Sequence, residues 1–310
     1  MATGLAVTPD ARAFTTADLP DITVVRRDVW SLGTPWNDYT EAYARAVSLM
    51  QSRAPTDPTS WYFQAAIHGS FVRPPHPTWS QCQHQSWYFL PWHRIFVYWF
   101  ERIVRHAVLE IGGPADFAIP YWNYDQPFPA NTLPAAFRVP TLPDGSANPL
   151  YLPAKRSTAM MDGFQLGTRT TSAANAMALI PFATDPTVSK TSFGGGIRPP
   201  AQFAGAIGAL EQTPHNQIHT QVGSKSAPKC TGGWMSAVPC AANDPIFYLH
   251  HANVDRLWDV WLARGGGRAN PTDPAWRGQS FTMFDEHGQA VTTSTAQVLD
   301  HATQLRYVYA

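Results

Sequence analysis

The hydrophobic pattern of the chain is helical over much of its length. Apolar residues recur every three to four positions in several stretches, which is the spacing of one face of an α-helix. Glycine ends some of these stretches, as Gly112 and Gly265 do, and glycine readily adopts the backbone conformation that closes a helix. The pattern predicts five helices, at residues 38–53, 61–67, 91–111, 214–221 and 245–264.

Proline and glycine mark the long connections between these helices. The chain has 28 prolines, which is about twice the usual share of roughly 5%. Residues 123–200 are rich in proline, threonine, alanine and glycine and show no sustained helical spacing. We expect this region to be loop with short elements and not a second domain, so that residues 1–310 form a single, mainly α domain with few short strands.

Charge and composition favour a small-molecule partner. The 22 basic residues balance 22 acidic ones, so electrostatics favour neither nucleic acid nor an anionic membrane. No apolar span is long enough to cross a bilayer, and the first residues, MATGLAVTPDARAF, lack the charged start and apolar run of an export signal. We expect a soluble, cytoplasmic protein with no membrane or nucleic-acid partner.

Histidines cluster near the start of three predicted helices. Pro91, Pro214 and Pro245 occupy the first turn of these helices, where proline is tolerated, and Thr213 and Asp244 are suitable N-caps. The histidines that follow each proline would lie in the first or second turn. We expect these turns to face the interior of an antiparallel bundle, where facing helices often build metal sites.

The spacing of the histidines tests which of them can converge. His215 and His219 are four residues apart, so they share one helical face and can bind the same ion. His84 and His93 are nine apart, which at about 100° per residue would place them on opposite faces of one helix, so His84 must reach in from the preceding loop. Imidazole is a preferred ligand of copper and almost no thiolate lies nearby, so the clusters indicate a buried pair of metal ions.

The last predicted helix contains two adjacent histidines. His251 repeats the position of His93, because each follows a phenylalanine by four residues. His250 shares its helical face with apolar residues such as Ile246 and Val254. We therefore assign His251 to the metal, and His250 either to packing or to contact with the ligands without binding the metal itself.

Three residues are expected to surround the ligand histidines. Phe89 and Phe247 each lie one helical turn before a histidine on the same face. Asp255 lies one turn after His251 and is expected to accept a hydrogen bond from a metal-bound histidine, since such histidines usually have a second partner. Pairing of Asp255 with an arginine is the alternative.

The three cysteines do not form a disulfide framework. Cys230 and Cys240 flank a Gly-Gly turn and are able to bridge, but free thiols are at least as common for such a pair in a cytosolic protein. Cys82 lies two residues before His84 and remains for another role.

Four segments carry a resemblance to a known family. The chain resembles the type 3 copper proteins, which include tyrosinases, catechol oxidases and molluscan haemocyanins. The matching segments span most of the chain, and the last is the most specific. They are FLPWHRIF at 89–96, PYWNYD at 120–125, PHNQIH at 214–219 and NDPIFYLHHANVDRLW at 243–258.

The resemblance implies a fold, a cofactor and a full set of ligands. Members of this family have a four-helix bundle core that holds two copper ions, and dioxygen is their co-substrate. By position, the first copper would be bound by His68, His84 and His93, and the second by His215, His219 and His251. His68 enters the set through the resemblance and its place at a helix end.

The neighbours of the ligands refine the expected chemistry. In fungal tyrosinases and molluscan haemocyanins the Cys-x-His spacing of Cys82 and His84 carries a thioether bond between the sulfur and the imidazole, although many bacterial tyrosinases lack it. The resemblance therefore implies a Cys82–His84 thioether. An ordinary buried thiol is the alternative.

Four further positions match the substrate side of the family's site. Glu211 and Asn216 match the acidic residue and the asparagine that are proposed, in members that hydroxylate monophenols, to hold a water that takes the phenol proton. Asn216 and Thr220 would line the pocket. Val238 falls where the family places a residue over the entrance to the second copper, and its small side chain would admit an aromatic ring. The alternative is that Glu211 only places a favourable negative charge at the start of the following helix.

The chain ends in Tyr307-Val-Tyr309-Ala310. This resembles the Tyr-x-Tyr motif that closes the catalytic domain of plant and fungal relatives ahead of a linker and a shielding domain. We therefore expect residues 1–310 to be a catalytic domain without a C-terminal shielding domain. A copper-loading chaperone, which some bacterial relatives need, is not indicated by these residues.

Residues and resemblance together predict a dicopper phenol oxidase. It would use dioxygen to oxidise o-diphenols to o-quinones and to hydroxylate monophenols, so its partner would be a small phenolic substrate. Two alternatives in the family use the same histidines: an o-aminophenol oxidase and a haemocyanin-like oxygen carrier, against which the small Val238 argues. A zinc hydrolase fits poorly, because no ligating carboxylate motif accompanies the histidines.

Overall fold

The computed structural model describes residues 11–72, 76–187, 191–203, 205–224 and 228–310. The fold is mainly α with few short strands, as the sequence predicts. No helix in the described ranges is both long and apolar enough to cross a bilayer. The helices are α1 (Asp38–Ser52), α2 (Trp61–His68), α3 (Phe89–Glu110), α4 (Thr158–Met161), α5 (Thr168–Thr171), α6 (Ala174–Ala178), α7 (Gln217–Gly223), α8 (Val238–Ala241), α9 (Ile246–Ala263), α10 (Pro274–Gly278) and α11 (His301–Gln304).

Short strands bring distant parts of the chain together. In one sheet β6 lies between β1, with which it is parallel, and β5, with which it is antiparallel. A parallel pair of β2 and β7 joins the two ends of the described chain, and β3 pairs with β4. The strands are β1 (Arg12–Ala13), β2 (Val24–Arg26), β3 (Ala183–Thr184), β4 (Gly195–Gly196), β5 (Ser280–Phe284), β6 (Ala290–Ser294) and β7 (Tyr307–Tyr309).

Helix α3 is the centre of the bundle core. It packs against α1, α9 and β5, and its apolar residues are buried around most of its circumference. Large aromatic side chains such as Trp92 and Trp99 are fully buried there, which is where apolar area stabilises a fold most. A helix that is apolar on almost all sides belongs in the interior.

The long helices agree with the hydrophobic pattern, with small differences at their starts. Helix α1 begins after Asn37, whose side chain accepts hydrogen bonds from the backbone of Tyr39 and Thr40. Helix α3 begins at Phe89, so Pro91 sits inside its first turn, where a missing N–H costs nothing.

The second histidine segment is less regular than the pattern predicts. A π-helical segment, Glu211–Asn216, precedes α7, and Thr213 within it is extended (φ −148°, ψ 123°). The break at Thr213 is the helix start that the sequence predicts before Pro214. The backbone on its N-terminal side is nevertheless helical, which extends the segment to include Glu211.

Asp255 is the centre of a buried ionic network. Its carboxylate accepts hydrogen bonds from Arg94 Nε at 2.5 Å, Arg26 Nη1 at 3.4 Å, Tyr307 at 2.6 Å and Tyr309 at 2.5 Å. No histidine within the described ranges is among its hydrogen-bond partners. The expectation that Asp255 orients a ligand histidine is therefore corrected: the arginine alternative holds, because two buried guanidinium groups need the charge.

The network connects the two histidine-bearing helices α3 and α9 to both ends of the chain. Arg94 follows His93 on α3, and Asp255 lies one turn after His251 on α9. Arg26 on β2 reaches the same carboxylate and also bonds to Glu101 at 2.8 Å. The β2–β7 pairing thus places its charged and phenolic side chains directly against the core.

Replacing Asp255 by asparagine should destabilise the fold strongly. The change keeps the shape of the side chain but leaves buried Arg94 without a counter-charge, which costs about 3–5 kcal/mol in comparable buried pairs. Burial raises the pKa of Asp255, but Arg94 and Arg26 more than offset it and the pKa falls to about 2. The carboxylate's contribution is therefore present above about pH 4 and is lost as the pH falls through about 2.

Chemical denaturation at neutral and acidic pH measures this effect. The difference in unfolding free energy between wild type and Asp255→Asn should shrink as the pH falls from about 4 towards 2. The control is Asp144→Asn, because Asp144 forms an exposed ion pair with Arg45 and its loss should leave stability nearly unchanged. Equal stability of wild type and Asp255→Asn at neutral pH would contradict the prediction.

Candidate metal centre

Six segments of the chain bring one histidine each to one place inside the fold. One lies at the end of α2, one in the extended segment before α3, one in the first turns of α3, one in the π-helical segment, one in α7 and one in the second turn of α9. All are buried except His219, which is half-buried. In chain order they are His68, His84, His93, His215, His219 and His251.

The first three histidines form one group. Their ring centroids are 5.6 Å apart for His68 and His84, 5.3 Å for His84 and His93, and 5.6 Å for His68 and His93. His84 reaches in from the segment before α3, as its spacing from His93 requires. We call His68, His84 and His93 the first histidine group.

The other three form a second group beside it. The ring centroids of His215 and His219 are 4.6 Å apart, and those of His251 are 5.0 and 5.6 Å from them. The rings of His93 and His251 stack at 4.5 Å between the groups. We call His215, His219 and His251 the second histidine group.

Backbone carbonyl groups fix the orientation of four of these rings. In each case Nδ1 donates its proton to a carbonyl oxygen, which leaves Nε2 as the nitrogen with a free lone pair. The four pairs are His68 with Val238 at 3.1 Å, His93 with Phe89 at 2.8 Å, His215 with Glu211 at 3.2 Å and His219 with Met235 at 2.7 Å.

Burial keeps the imidazoles neutral. It lowers the pKa of His84 to about 3 and that of His219 to about 4, and it lowers the pKa values of the other four well below the ordinary value. A neutral imidazole is the form that binds a metal ion. At neutral pH all six imidazoles are therefore in the protonation state that a metal ligand requires.

Unsatisfied nitrogens show that these residues fit a metal. The Nε2 atoms of His68, His93 and His215 are buried without a hydrogen-bond partner, and each such orphan costs about 1–3 kcal/mol unless something binds it. The Nε2 atoms of His219 and His251 are 3.4 Å apart. Imidazole–metal bonds of about 2.0–2.1 Å place two nitrogens on one ion at about this separation.

His250 lies beside the second histidine group and is the alternative to His251 as its third ligand. Its ring stacks on that of His215 at 5.3 Å and packs near Tyr124, and neither of its nitrogens has a hydrogen-bond partner among the described residues. One ring nitrogen of His250 lies within 4.8 Å of a ring nitrogen of each member of the second histidine group. Only His251, however, also stacks on His93 of the first group.

Cys82 lies beside the first histidine group. It is buried and not in a disulfide, and its sulfur lies within 4.8 Å of ring nitrogens of His68 and His84. Gln202 Nε2 donates to this sulfur at 3.2 Å. Burial raises the pKa of the thiol to about 12, so Cys82 is not a reactive surface thiolate.

Glu211 and Asn216 both line the cavity over the histidines. Each carboxylate oxygen of Glu211 accepts from the backbone N–H of Gln85 at 2.9 Å. Burial raises the pKa of Glu211 to about 8, although backbone hydrogen bonds lower it. The amide oxygen of Asn216 is 2.9 Å from Nδ1 of His215, so Asn216 helps to orient a ligand ring, a contact that the sequence did not suggest.

Val238 is tied to the first histidine group through its backbone. The sequence placed this residue over the second copper, but its carbonyl oxygen accepts from His68. Its side chain lines the cavity that both groups share. The close approach of the two segments needs Gly69, because a Cβ there would lie 2.7 Å from Pro239 Cα.

A disulfide closes the loop that supplies two of the carbonyl acceptors. Cys230 and Cys240 are bonded, which settles the alternative that their spacing left open. The loop between them contains Met235 and Val238. One short cross-linked segment therefore orients one ring of each histidine group.

Phe89 and Phe247 pack between the groups, as their positions suggest. Phe89 contacts His93 and His215, both at 4.7 Å. Phe247 contacts His251 at 4.1 Å and His68 at 4.8 Å. Each ring therefore touches both histidine groups and fills space between them with apolar surface.

Phe203 completes the wall of the cavity and was not found from the sequence. Its ring lies flat on that of His84, with centroids 5.2 Å apart and planes 6° apart. The cavity has a volume of about 300 Å³, in the range of small-molecule sites. It is lined by His68, His84, Gln85, Phe203, Ile207, Glu211, His215, Asn216, His219, Thr220, Met235, Ser236 and Val238.

Comparison with known proteins identifies the family. The common central domain of tyrosinase matches residues 58–192 and 169–264, and the polyphenol oxidase middle domain matches residues 270–310. The chain therefore belongs to the type 3 copper proteins of the tyrosinase family. The cofactor of this family is a pair of copper ions with dioxygen as co-substrate, which confirms the predicted cofactor.

Individual relatives agree with this assignment. The tyrosinase HcTyr1 of Hahella sp. (strain CCB-MM4) is 37% identical over 92% of this chain and 62% of its own length. Aureusidin synthase of Antirrhinum majus is 32% identical over 87% of this chain and 49% of its own length. The chain thus spans about half to two thirds of these curated relatives.

A solved structure shows the same architecture. The polyphenol oxidase of Grenache (Vitis vinifera) superposes with a TM-score of 0.77 at 25% identity, covering 100% of this chain and 92% of that one. The bundle core and the middle region that the family shares are therefore both present here.

Replacing His251 should remove one copper, whereas replacing His250 should not. In His251→Phe the second histidine group loses the nitrogen that lies 3.4 Å from Nε2 of His219. Bound copper should therefore fall from two ions per chain to one. In His250→Phe two unsatisfied nitrogens give way to a ring of similar shape, a change that is close to neutral. Metal analysis of the copper-loaded, desalted variants measures the ratio.

The two variants control for each other because they are adjacent on α9 and equally buried. Thermal unfolding of the apo forms checks that both fold. Loss of one copper from His250→Phe with retention of two by His251→Phe would reverse the assignment.

Proposed function

We propose that this chain is the catalytic part of a dicopper phenol oxidase. It oxidises o-diphenols to o-quinones with dioxygen and hydroxylates monophenols. The observation that carries the proposal is the set of six neutral imidazoles, four of which line one cavity of about 300 Å³, in a chain that is 37% identical to a tyrosinase.

Each histidine group would hold one copper ion. His68, His84 and His93 are the proposed ligands of the first, and His215, His219 and His251 of the second. When bound, the copper pair supplies a binding place for dioxygen and accepts or donates two electrons. The protein supplies orientation and a shaped cavity, and Phe89 and Phe247 pack against the histidines of both groups.

The phenol would enter on the side of the cavity formed by Asn216, Thr220 and Val238. Thr220 is exposed and Val238 half-buried, so the mouth of the cavity is open on this side. His219 is the most accessible ring of the second group and would lie against the substrate ring. This arrangement favours a single aromatic ring as substrate.

Glu211 and Asn216 would handle the phenol proton through a water molecule. Both line the cavity, and Glu211 has the buried environment of a group that accepts a proton near neutral pH. The two hydrogen bonds from Gln85 support the alternative that Glu211 mainly holds the segment before α3 in place. The assay below separates these roles.

The thioether between Cys82 and His84 is also proposed. The sulfur is buried near the His84 ring and in contact with Gln202. Formation of the bond replaces one S–H and one ring C–H by C–S, with dioxygen as the oxidant. The copper-loaded protein should therefore be lighter by two hydrogen atoms, and Cys82 should resist alkylation after unfolding and disulfide reduction.

Intact-mass and peptide-mass measurements test the thioether. Cys82→Ala serves as the control, because it removes the sulfur without touching a ligand. A full-mass protein in which Cys82 is alkylated after copper loading and exposure to air would leave it an ordinary thiol.

Oxygen uptake with product identification tests the function. The copper-loaded protein should convert catechol to its quinone and hydroxylate tyrosine or a simple monophenol. In Glu211→Gln the rate on monophenols should fall by about 100-fold or more, as expected for loss of a general base, while catechol oxidation changes little.

Three outcomes would contradict parts of this proposal. Absence of quinone from catechol would exclude a diphenol oxidase, and turnover of o-aminophenol without monophenol hydroxylation would favour the aminophenol oxidase. Equal losses on catechol and monophenols in Glu211→Gln would assign Glu211 to structure. Glu110→Gln, at an exposed site on α3, is the matched control.

A further inference from the structure

His84 differs from the other five proposed ligands in how it is held. Four of those rings donate Nδ1–H to a backbone carbonyl. His251 also has no partner for Nδ1, but it lies within helix α9 and packs between the rings of His93 and Phe247. The Nδ1 atom of His84 is buried without a hydrogen-bond partner, and the residue lies outside any helix. Neither a hydrogen bond nor a regular backbone therefore fixes this ring.

The ring of Phe203 covers the face of His84. The two rings are 5.2 Å apart and nearly parallel, at 6°. Phe203 remains 49% exposed, so about half of the side chain stays open to solvent while the ring covers His84. The backbones of the two residues also form an isolated parallel bridge.

The segment that carries Phe203 is attached to the segment that carries His84 at several points. The backbone N–H of Ala201 donates to Gln83 Oε1 at 2.8 Å, and Gln202 Nε2 donates to the Cys82 sulfur at 3.2 Å. These contacts come from the two residues that directly precede Phe203.

The attachment continues on both sides of these contacts. Trp87 Nε1 donates to the carbonyl oxygen of Arg198 at 2.8 Å. Gly205 approaches the Gln85 carbonyl so closely that an added Cβ would lie 2.3 Å from its oxygen. Phe203 is therefore held over His84 by a series of contacts and does not lie there as a loose surface side chain.

We propose that Phe203 is the positioning residue for His84, and that its ring replaces the hydrogen bond that orients four of the other proposed ligands. The proposal rests on the proposed copper-binding function of the first histidine group. Phe203 holds the plane of the imidazole so that Nε2 points at the first copper. It acts on the ring face, whereas the proposed thioether would act on the ring edge, so the two restraints are independent.

The test measures copper affinity and not catalysis. Apo protein is titrated with Cu(I) in competition with a chromophoric chelator, for wild type, Phe203→Ala and Phe203→Tyr. In Phe203→Ala one of the two ions should bind about 10- to 100-fold more weakly, the range known for loss of a group that orients a ligand. Phe203→Tyr, which keeps the stacked ring, should restore wild-type affinity.

Two single-copper backgrounds show which ion is affected. In His251→Phe, which keeps the first group intact, Phe203→Ala should still weaken binding. In His68→Phe, which keeps the second group intact, it should have no effect. Phe164→Ala is the control for loss of an exposed phenylalanine, because Phe164 is 51% exposed and does not line the cavity.

The outcomes separate this proposal from the proposed function. Unchanged affinities in Phe203→Ala, equal weakening of both ions, or failure of Phe203→Tyr to restore binding would each overturn the role of Phe203. If wild type binds two copper ions but oxidises no phenol, the proposed function fails while the titration of Phe203→Ala still decides its own question. Thermal unfolding of the apo variants confirms that they fold.

Discussion

The hydrogen bond from a histidine Nδ1 to a backbone carbonyl is the contact on which the centre depends. An imidazole has two nitrogens, and a ligand must present a chosen one without a proton. Four carbonyl groups make that choice, and each of them belongs to a turn or helix that the fold fixes. The nitrogen that each of these rings presents is therefore set by backbone carbonyl groups. Substituting the side chain of an acceptor residue does not by itself remove its carbonyl oxygen.

The buried charges around Asp255 fix how helices α3 and α9 pack, and burying them costs hydration free energy. Two guanidinium groups and a carboxylate lose their hydration in the core, and this loss is offset only because each has close partners of opposite charge or phenolic hydroxyls. Such a network tolerates few alternative packings. It fixes the relative position of α3 and α9, and with it the stacked rings of His93 and His251.

The sequence was informative wherever one residue's role depends on its near neighbours in the chain. Helical spacing located α1, α3 and α9, paired His215 with His219, and placed His84 in the preceding loop. It did not reveal Phe203 or which arginines donate to Asp255, because these contacts join residues more than 100 positions apart. The resemblance, and not spacing, placed Val238 beside the site, and the bond from His68 to its carbonyl oxygen joins residues 170 positions apart.

The loop closed by Cys230 and Cys240 has a mechanical consequence. The two histidine groups come from different helices. Their orientations are nevertheless linked, because the carbonyl groups of Met235 and Val238, three residues apart, each orient one ring from a different group. A shift of this loop would turn both rings together. Ser236 and Val238 of the same loop also line the cavity. A change in this loop that widened the entrance would therefore also change the orientation of one ring in each histidine group.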